Sequence, residues 1–274
     1  MKSKRDVLLK SFLIFFSTII SLILGSILGS ILISVYRLLF YNSTLAVDRD
    51  PFLLSWLAIL GESFAILFIF LFNHFFFKIR VSFFNHSFFL GLKVASPSIL
   101  FVLINLLVFS SQSHHLSPFE LFTALAVSLS VGIFEEYAAR GLMLGNLLSQ
   151  GSRTFSFLAA NLLSAMFFAG LHLINLFSAS IAVTAIQMIY VFALGLIFAS
   201  AYIFSKNLSV TILIHALIDG LAFAANPQAI FGLGNPKVTA TQFAFQAILL
   251  IIFLYYTFRL FKKENLNEIS KKWF

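Results

Sequence analysis

The sequence predicts an all-α, polytopic membrane protein with about eight transmembrane helices. Three observations lead there. Of 274 residues, 60% are hydrophobic and only 10% charged, against about 25% charged in a soluble domain. With a mean hydropathy of +1.00, the chain has too little polar surface to coat itself in water. Uncharged apolar runs of roughly 20 residues, long enough to cross a bilayer, recur along its whole length. Basic residues gather at the ends of those runs, on alternate connections. The 37 Phe, clustered as in FLIFF and NHFFFK, suit lipid-facing helices and say nothing finer.

The spans are expected at 11–36, 52–77, 94–111, 119–145, 154–177, 183–205, 208–225 and 242–261. The first follows the basic stretch MKSKRDVLLK, which could mimic a signal peptide. Yet Ser11 to Tyr36 is uncharged well beyond the roughly 7–15 residues of a signal core, and no small-x-small cleavage site follows. A retained first helix is therefore expected. It carries Gly25-Ser26-Ile27-Leu28-Gly29, a GxxxG that permits close helix contact, and a packing role is expected for it. Between the second and third spans, VSFFNHSFFLGLK reads as an interfacial helix. The third and seventh spans are short. The connections are short too and no repeat stands out, so one structural domain is expected.

Charge sets the expected topology. Lys2, Lys4, Arg5 and Lys10 precede the first span, and Lys78, Arg80 and Lys93 lie between the second and third. Arg153 follows the fourth, Lys206 the sixth, and Arg259, Lys262, Lys263, Lys271 and Lys272 end the chain. With eight spans these all fall on one side. The opposite connections, VDRD, SQSHHLSPFE, NLFSAS and NPQAIFGLGNPK, are poor in basic residues. A multi-pass protein of the cell membrane with both termini cytoplasmic follows. The net charge of +8 is thereby topology anchoring in the bilayer, not a nucleic-acid footprint. The absence of Cys excludes disulfides, thiolate metal sites and a Cys nucleophile. Any metal would need His and carboxylate ligands.

Ionisable groups inside a bilayer cost several kcal/mol unless paired or hydrated. Those expected at depth are Glu62, Glu135, Glu136, Arg140, His172, His215 and Asp219. His74 and Glu120 sit near span ends and can reach the interface. In FEEYAARG, Glu135 and Glu136 point about 100° apart on a helix, while Glu136 and Arg140 are i,i+4 and share a face. That pairing neutralises one carboxylate. Glu135 is left without a local partner, as a group able to exchange protons. The plainer reading is a structural ion pair that closes the helix end. His172, late in the fifth span, is a functional imidazole or a hydrogen bond to a neighbouring helix. His215 and Asp219, also i,i+4, can bind metal, relay protons, orient a base, or merely satisfy each other. Three spans thus bring polar clusters to similar depth, where they can meet in one pocket. Glu62 has no identifiable partner. It lines the same cavity or bonds across helices.

EExxxR, then FxxxH, then HxxxN/D, on successive hydrophobic segments, resembles the family of CAAX proteases and bacteriocin-processing enzymes. This group, also called the Abi family, includes the type II CAAX prenyl endopeptidases. The motifs are Glu135-Glu136-Tyr137-Ala138-Ala139-Arg140, Phe168-Ala169-Gly170-Leu171-His172 and His215-Ala216-Leu217-Ile218-Asp219. The resemblance covers residues 119–225, a protease-like core. Three N-terminal helices (1–118) precede it, and the last helix with its basic tail (226–274) follows.

The resemblance implies an eight-helix core with an intramembrane peptidase site acting on a membrane-associated protein or peptide. Glu135 and His172 would hold and activate a water, with Glu136 in support, paired with Arg140. His215 and residue 219 would stabilise the oxyanion or complete a metal site. Two departures matter. Ala139 stands where the family often has an aromatic residue. Asp219 is the alternative to an Asn, and an ionised Asp cannot donate to an oxyanion. With Asp there, Glu135, His172, His215 and Asp219 are candidate zinc ligands; no cofactor is otherwise implied. Two other readings stand beside the peptidase. One is a non-catalytic immunity or scaffold member of the same family. The other is a proton-coupled transporter, against which the sequence shows neither an inverted repeat nor paired broken helices.

Overall fold

The structure, a computed structural model, describes residues 4–40, 50–111, 116–149, 156–231 and 238–262, with Ile269 and Trp273. Eight helices among these are long and apolar enough to cross a membrane. They are α1 (Lys4–Phe40), α2 (Pro51–Phe77), α3 (Phe88–Ser110), α4 (Pro118–Leu148), α5 (Phe157–Phe177), α6 (Ile181–Ser205), α7 (Leu208–Ala225) and α8 (Ala240–Leu260). The expected all-α polytopic class and the count of spans agree with the structure.

The helix starts lie where short polar side chains occupy orphan backbone donors. Asp50 caps α2, Ser156 α5, Ser180 α6 and Asn207 α7. Ser117 with Glu120 forms a capping box on α4, and Thr239 with Gln242 forms one on α8. Glu120 therefore belongs to a helix cap. Its Oε2 accepts from the Ser117 backbone N–H at 2.8 Å.

Large apolar side chains cover the outside, as at Leu38, Phe76, Phe89 and Phe177, which suits lipid. Between lipid-soluble helices the hydrophobic effect gives little drive, so close contact of small residues takes over. The GxxxG of α1 shows this. A Cβ on Gly25 would lie 2.7 Å from the Ala65 backbone nitrogen, and one on Gly29 would lie 3.1 Å from that of Gly61. The packing role expected for this motif agrees with the structure. Beside the α1–α2 pair, α4 packs against α7, and α5 packs against α6.

The interfacial helix expected over VSFFNHSFFLGLK is not formed. Residues 79–85 are non-helical, and Phe88 already begins α3. The reason is a set of polar ties that take up the backbone. Lys78 ends α2 in the left-handed conformation, φ 52°. The Asn73 amide donates to the Ile79 carbonyl, and its oxygen accepts from the Ile79 N–H, both at 2.9 Å. The Leu208 and Ser209 N–H groups donate to Ser82 and Phe83 carbonyls. Asn85 Nδ2 donates to the carbonyls of Ser205 and Lys206. The segment is a strap laid across one end of the bundle.

That end collects the basic connections. Lys10 Nζ donates to the Phe77 carbonyl at 2.8 Å, and Asn146 of α4 donates to the Val7 carbonyl at 3.0 Å. Trp273 donates to the Ile203 carbonyl at 2.9 Å, and Lys206 lies 4.8 Å over its ring. Lys2, Arg153, Lys263, Lys271 and Lys272 lie outside the described residues. So do 47–49, 112–115 and 232–237 of the opposite connections.

Candidate active site

The first motif straddles a change of helix type. α4 runs as α-helix to Glu136 and as π-helix from Tyr137 to Leu144. A π-helix widens the turn and re-aims backbone groups, a device often met at functional sites. Two neighbours brace it. Ser164 Oγ of α5 donates to the Ala139 carbonyl at 2.8 Å. Val81 of the strap lies against Gly141, where a Cβ would stand 3.0 Å from Val81 Cγ1. A larger residue at 141 would meet Val81, and Ala139 is itself fully buried.

The two carboxylates of the motif divide as their 100° separation requires. Glu136 turns inward and is fully buried. Its Oε1 accepts from Arg140 Nη1 at 2.7 Å, and the Arg140 side chain is fully buried too. The guanidinium stacks between rings, 4.5 Å from the centroid of Phe168 and 5.4 Å from that of Phe198. Arg140 Nη2 also donates to the Gly195 carbonyl at 3.4 Å. Glu135 turns the other way and keeps 20% of its side chain exposed.

His215 of α7 joins the two. Its Nδ1 lies 3.0 Å from Glu136 Oε1. Its Nε2 lies 3.3 Å from Asp219 Oδ2 and 3.6 Å from Glu135 Oε2. Nδ1 is thus hydrogen-bonded to Glu136, while Nε2 lies between Asp219 and Glu135. Its ring is held by Phe168 and Phe198, with centroids at 5.8 and 5.9 Å.

His172 ends the α-helical part of α5. Its Nδ1 is 3.0 Å from the Phe168 carbonyl, which leaves Nε2 for other partners. Glu135, His172, His215 and Asp219 all line one cavity of about 390 Å³, a size usual for ligand sites. The expected meeting of three polar clusters is thus present, with Glu136 and Arg140 behind the wall rather than on it. Among the described residues, no group of three or more His, Asp or Glu side chains is arranged to hold a metal ion. The four candidate zinc ligands share a cavity without forming such a group.

Glu62 does not line this cavity. It lies in a neighbouring one with Ser26, Ser30 and Gly61, and Val131 and Phe223 form walls of both. Sequence reasoning missed three polar residues that do line the site: Asn175, Gln187 and Tyr190. The available signal was spacing. Gln187 and Tyr190 lie three apart on an otherwise apolar helix face.

The cavity can hold a water beside the partly exposed Glu135 carboxylate and an imidazole, in apolar surroundings. That arrangement suits hydrolysis. No curated protein and no solved structure matches the chain. The family described as Rce1-like, type II CAAX prenyl endopeptidase, has a model that matches residues 117–221, and over that segment, which carries all three motifs, the chain is similar to that family.

Proposed function

We propose that the protein is an intramembrane endopeptidase that hydrolyses a peptide bond of a membrane-associated protein or peptide. The family matched over residues 117–221 is a protease family. The observation that carries the reading is that Glu135 and His172, from different helices, line one cavity with His215 and Asp219.

In this mechanism a water lies between Glu135 and His172 Nε2. Glu135 takes a proton from it as the oxygen attacks the carbonyl carbon, and the C–O bond forms. The C–N bond of the tetrahedral intermediate then breaks, and the proton passes from Glu135 to the departing amine. Glu136, neutralised by Arg140, holds His215 from behind. His215, itself paired with Asp219, attracts the Glu135 carboxylate from 3.6 Å. The apolar walls keep other water out and strengthen every electrostatic contact inside. Lys10 of the first helix reaches the Phe77 carbonyl, and Lys206 of the α6–α7 link lies over Trp273, at one end of the bundle. That end is assigned to the cytoplasm, with both termini.

The test is cleavage of a fluorogenic membrane-peptide library by purified protein, beside Glu135→Ala and His172→Ala. Cleavage lost in both folded variants supports the peptidase. Cleavage that persists in them rejects this site. A protective phenotype that survives Glu135→Ala would favour the scaffold reading.

A further inference from the structure

Glu62 is a carboxylate at membrane depth that the mechanism leaves unused. It sits within α2, and its Oε2 is buried without a hydrogen-bond partner among the described residues. It lines a cavity of about 330 Å³ whose described walls carry no cation. Those walls are apolar at Leu54, Leu57 and Val127, with hydroxyls at Ser26 and Ser30. Ser30 Oγ donates to the Ser26 carbonyl at 2.8 Å, so its own lone pairs stay able to accept. The site is therefore one of acceptors around a carboxylate. An ionisable group at such depth costs several kcal/mol without a partner, and its presence points to function.

The helix register places this cavity relative to the reacting groups. Phe52 stacks on Phe119 with centroids 5.2 Å apart, and Trp56 meets Phe122 at 6.3 Å. The two helices thus run side by side from matched starts, which sets Glu62 level with residues 127–131. Val127 and Val131 do line its cavity, and Val131 and Phe223 are shared with the cavity of Glu135. Glu62 therefore stands about six residues before Glu135 along the bundle, or about 9 Å. The backbone beneath it is held close to α1, since a Cβ on Gly29 would lie 3.1 Å from the Gly61 nitrogen. An extended peptide advances about 3.3 Å per residue. A substrate carbonyl at Glu135 then brings the side chain two or three residues away to Glu62.

We infer that Glu62 is a specificity residue, and that its cavity takes a basic side chain, Lys or Arg, two or three residues to one side of the scissile bond. The inference rests on the peptidase reading. An ammonium or guanidinium supplies several N–H donors and the missing counter-charge, and its bond to a carboxylate is of the strong, charge-assisted kind. Ser30 Oγ is placed to accept a second N–H. Glu62 touches no reacting atom in this role, so the steps of hydrolysis are unchanged.

The test is cleavage of paired fluorogenic peptides by the full chain. Each pair carries Lys or norleucine at one of the three positions on either side of the scissile bond. Norleucine keeps the straight chain and drops the ammonium. In the wild type, kcat/KM should favour Lys by about 10- to 100-fold at one position, on one side only. Folded Glu62→Gln should lose that preference, and Glu62→Asp, with the charge on a shorter arm, should keep part of it. Wild-type cleavage with no preference for Lys at any position overturns the inference and leaves the peptidase standing. A preference undiminished in Glu62→Gln also overturns it, because another group then binds the cation. A lower Tm in Glu62→Gln overturns it as well, by giving the carboxylate a partner within the fold. Absence of cleavage of every peptide by the wild type overturns the reading beneath it.

Discussion

Glu136 Oε1 accepts from Arg140 Nη1 at 2.7 Å, one helical turn apart, with both side chains wholly buried. The same oxygen lies 3.0 Å from His215 Nδ1. One atom thus ties the first motif to the third. Taking two charges out of water is costly, so removing one member of such a pair leaves the other buried and uncompensated.

Arg140→Ala should therefore cost far more than a surface ion pair would. It leaves Glu136 as an uncompensated buried charge, a loss of about 3–5 kcal/mol. Arg140→Lys keeps the charge but loses the planar stacking on Phe168 and Phe198, so it should fall between. Thermal unfolding in detergent orders the three proteins. Equal stability of wild type and Arg140→Ala would contradict the structural role of the pair.

Gly25→Leu tests the α1–α2 contact. A side chain there meets Ala65 backbone at 2.7 Å, and backbone cannot yield as a side chain does. Overpacking of this kind costs about 1–3 kcal/mol. The Tm should fall, while cleavage per folded molecule should not, since α1 contributes none of the reacting groups.

Ser164→Ala removes the donor that meets the Ala139 carbonyl within the π-helical stretch. A hydrogen bond between membrane helices averages about 0.6 kcal/mol, so the stability change should be small. The activity change should be larger, because the carbonyl lies four residues from Glu135 and the wide turn aims that carboxylate. Thermal unfolding and cleavage, measured on the same preparation, separate the two effects.

Asn161→Leu provides a contrast. Its amide donates to the Leu196 carbonyl at 3.0 Å and to Ser200 Oγ at 2.9 Å, pinning α5 to α6 away from the cavity. A loss of about 1 kcal/mol is expected, with kcat and KM both unchanged. A selective fall in kcat would show that the α5–α6 register itself sets the site.

The spans were legible because a bilayer demands long apolar runs whatever the fold. Their ends shifted by the reach of local caps: Ser117 with Glu120 starts α4, and Thr239 with Gln242 starts α8. The strap over 79–85 was hidden because its cause is distant. Asn73, Asn85 and the start of α7 supply its hydrogen bonds, and the local pattern alone reads as amphipathic. The division of labour between Glu135 and Glu136 followed from helix geometry, and the structure places them accordingly. The π-helix did not follow, since YAARGLML carries no local signature of it and Ser164 and Val81 brace it from other segments. Gln187 and Tyr190 look like ordinary polar content of an apolar helix until α5 brings Asn175 beside them. Glu62 pointed to polarity at depth but not to its own cavity.

The most direct test of the central claim is turnover of a fluorogenic peptide by purified Glu135→Gln beside the wild type, with both shown to be folded by thermal unfolding. The substitution keeps the shape of the side chain and removes the base. A base of this kind contributes about 100- to 10,000-fold, so kcat should fall by that factor while the Tm changes little. Undiminished turnover in folded Glu135→Gln would contradict the account, because the one carboxylate of the motif that lines the cavity would then take no part in the chemistry.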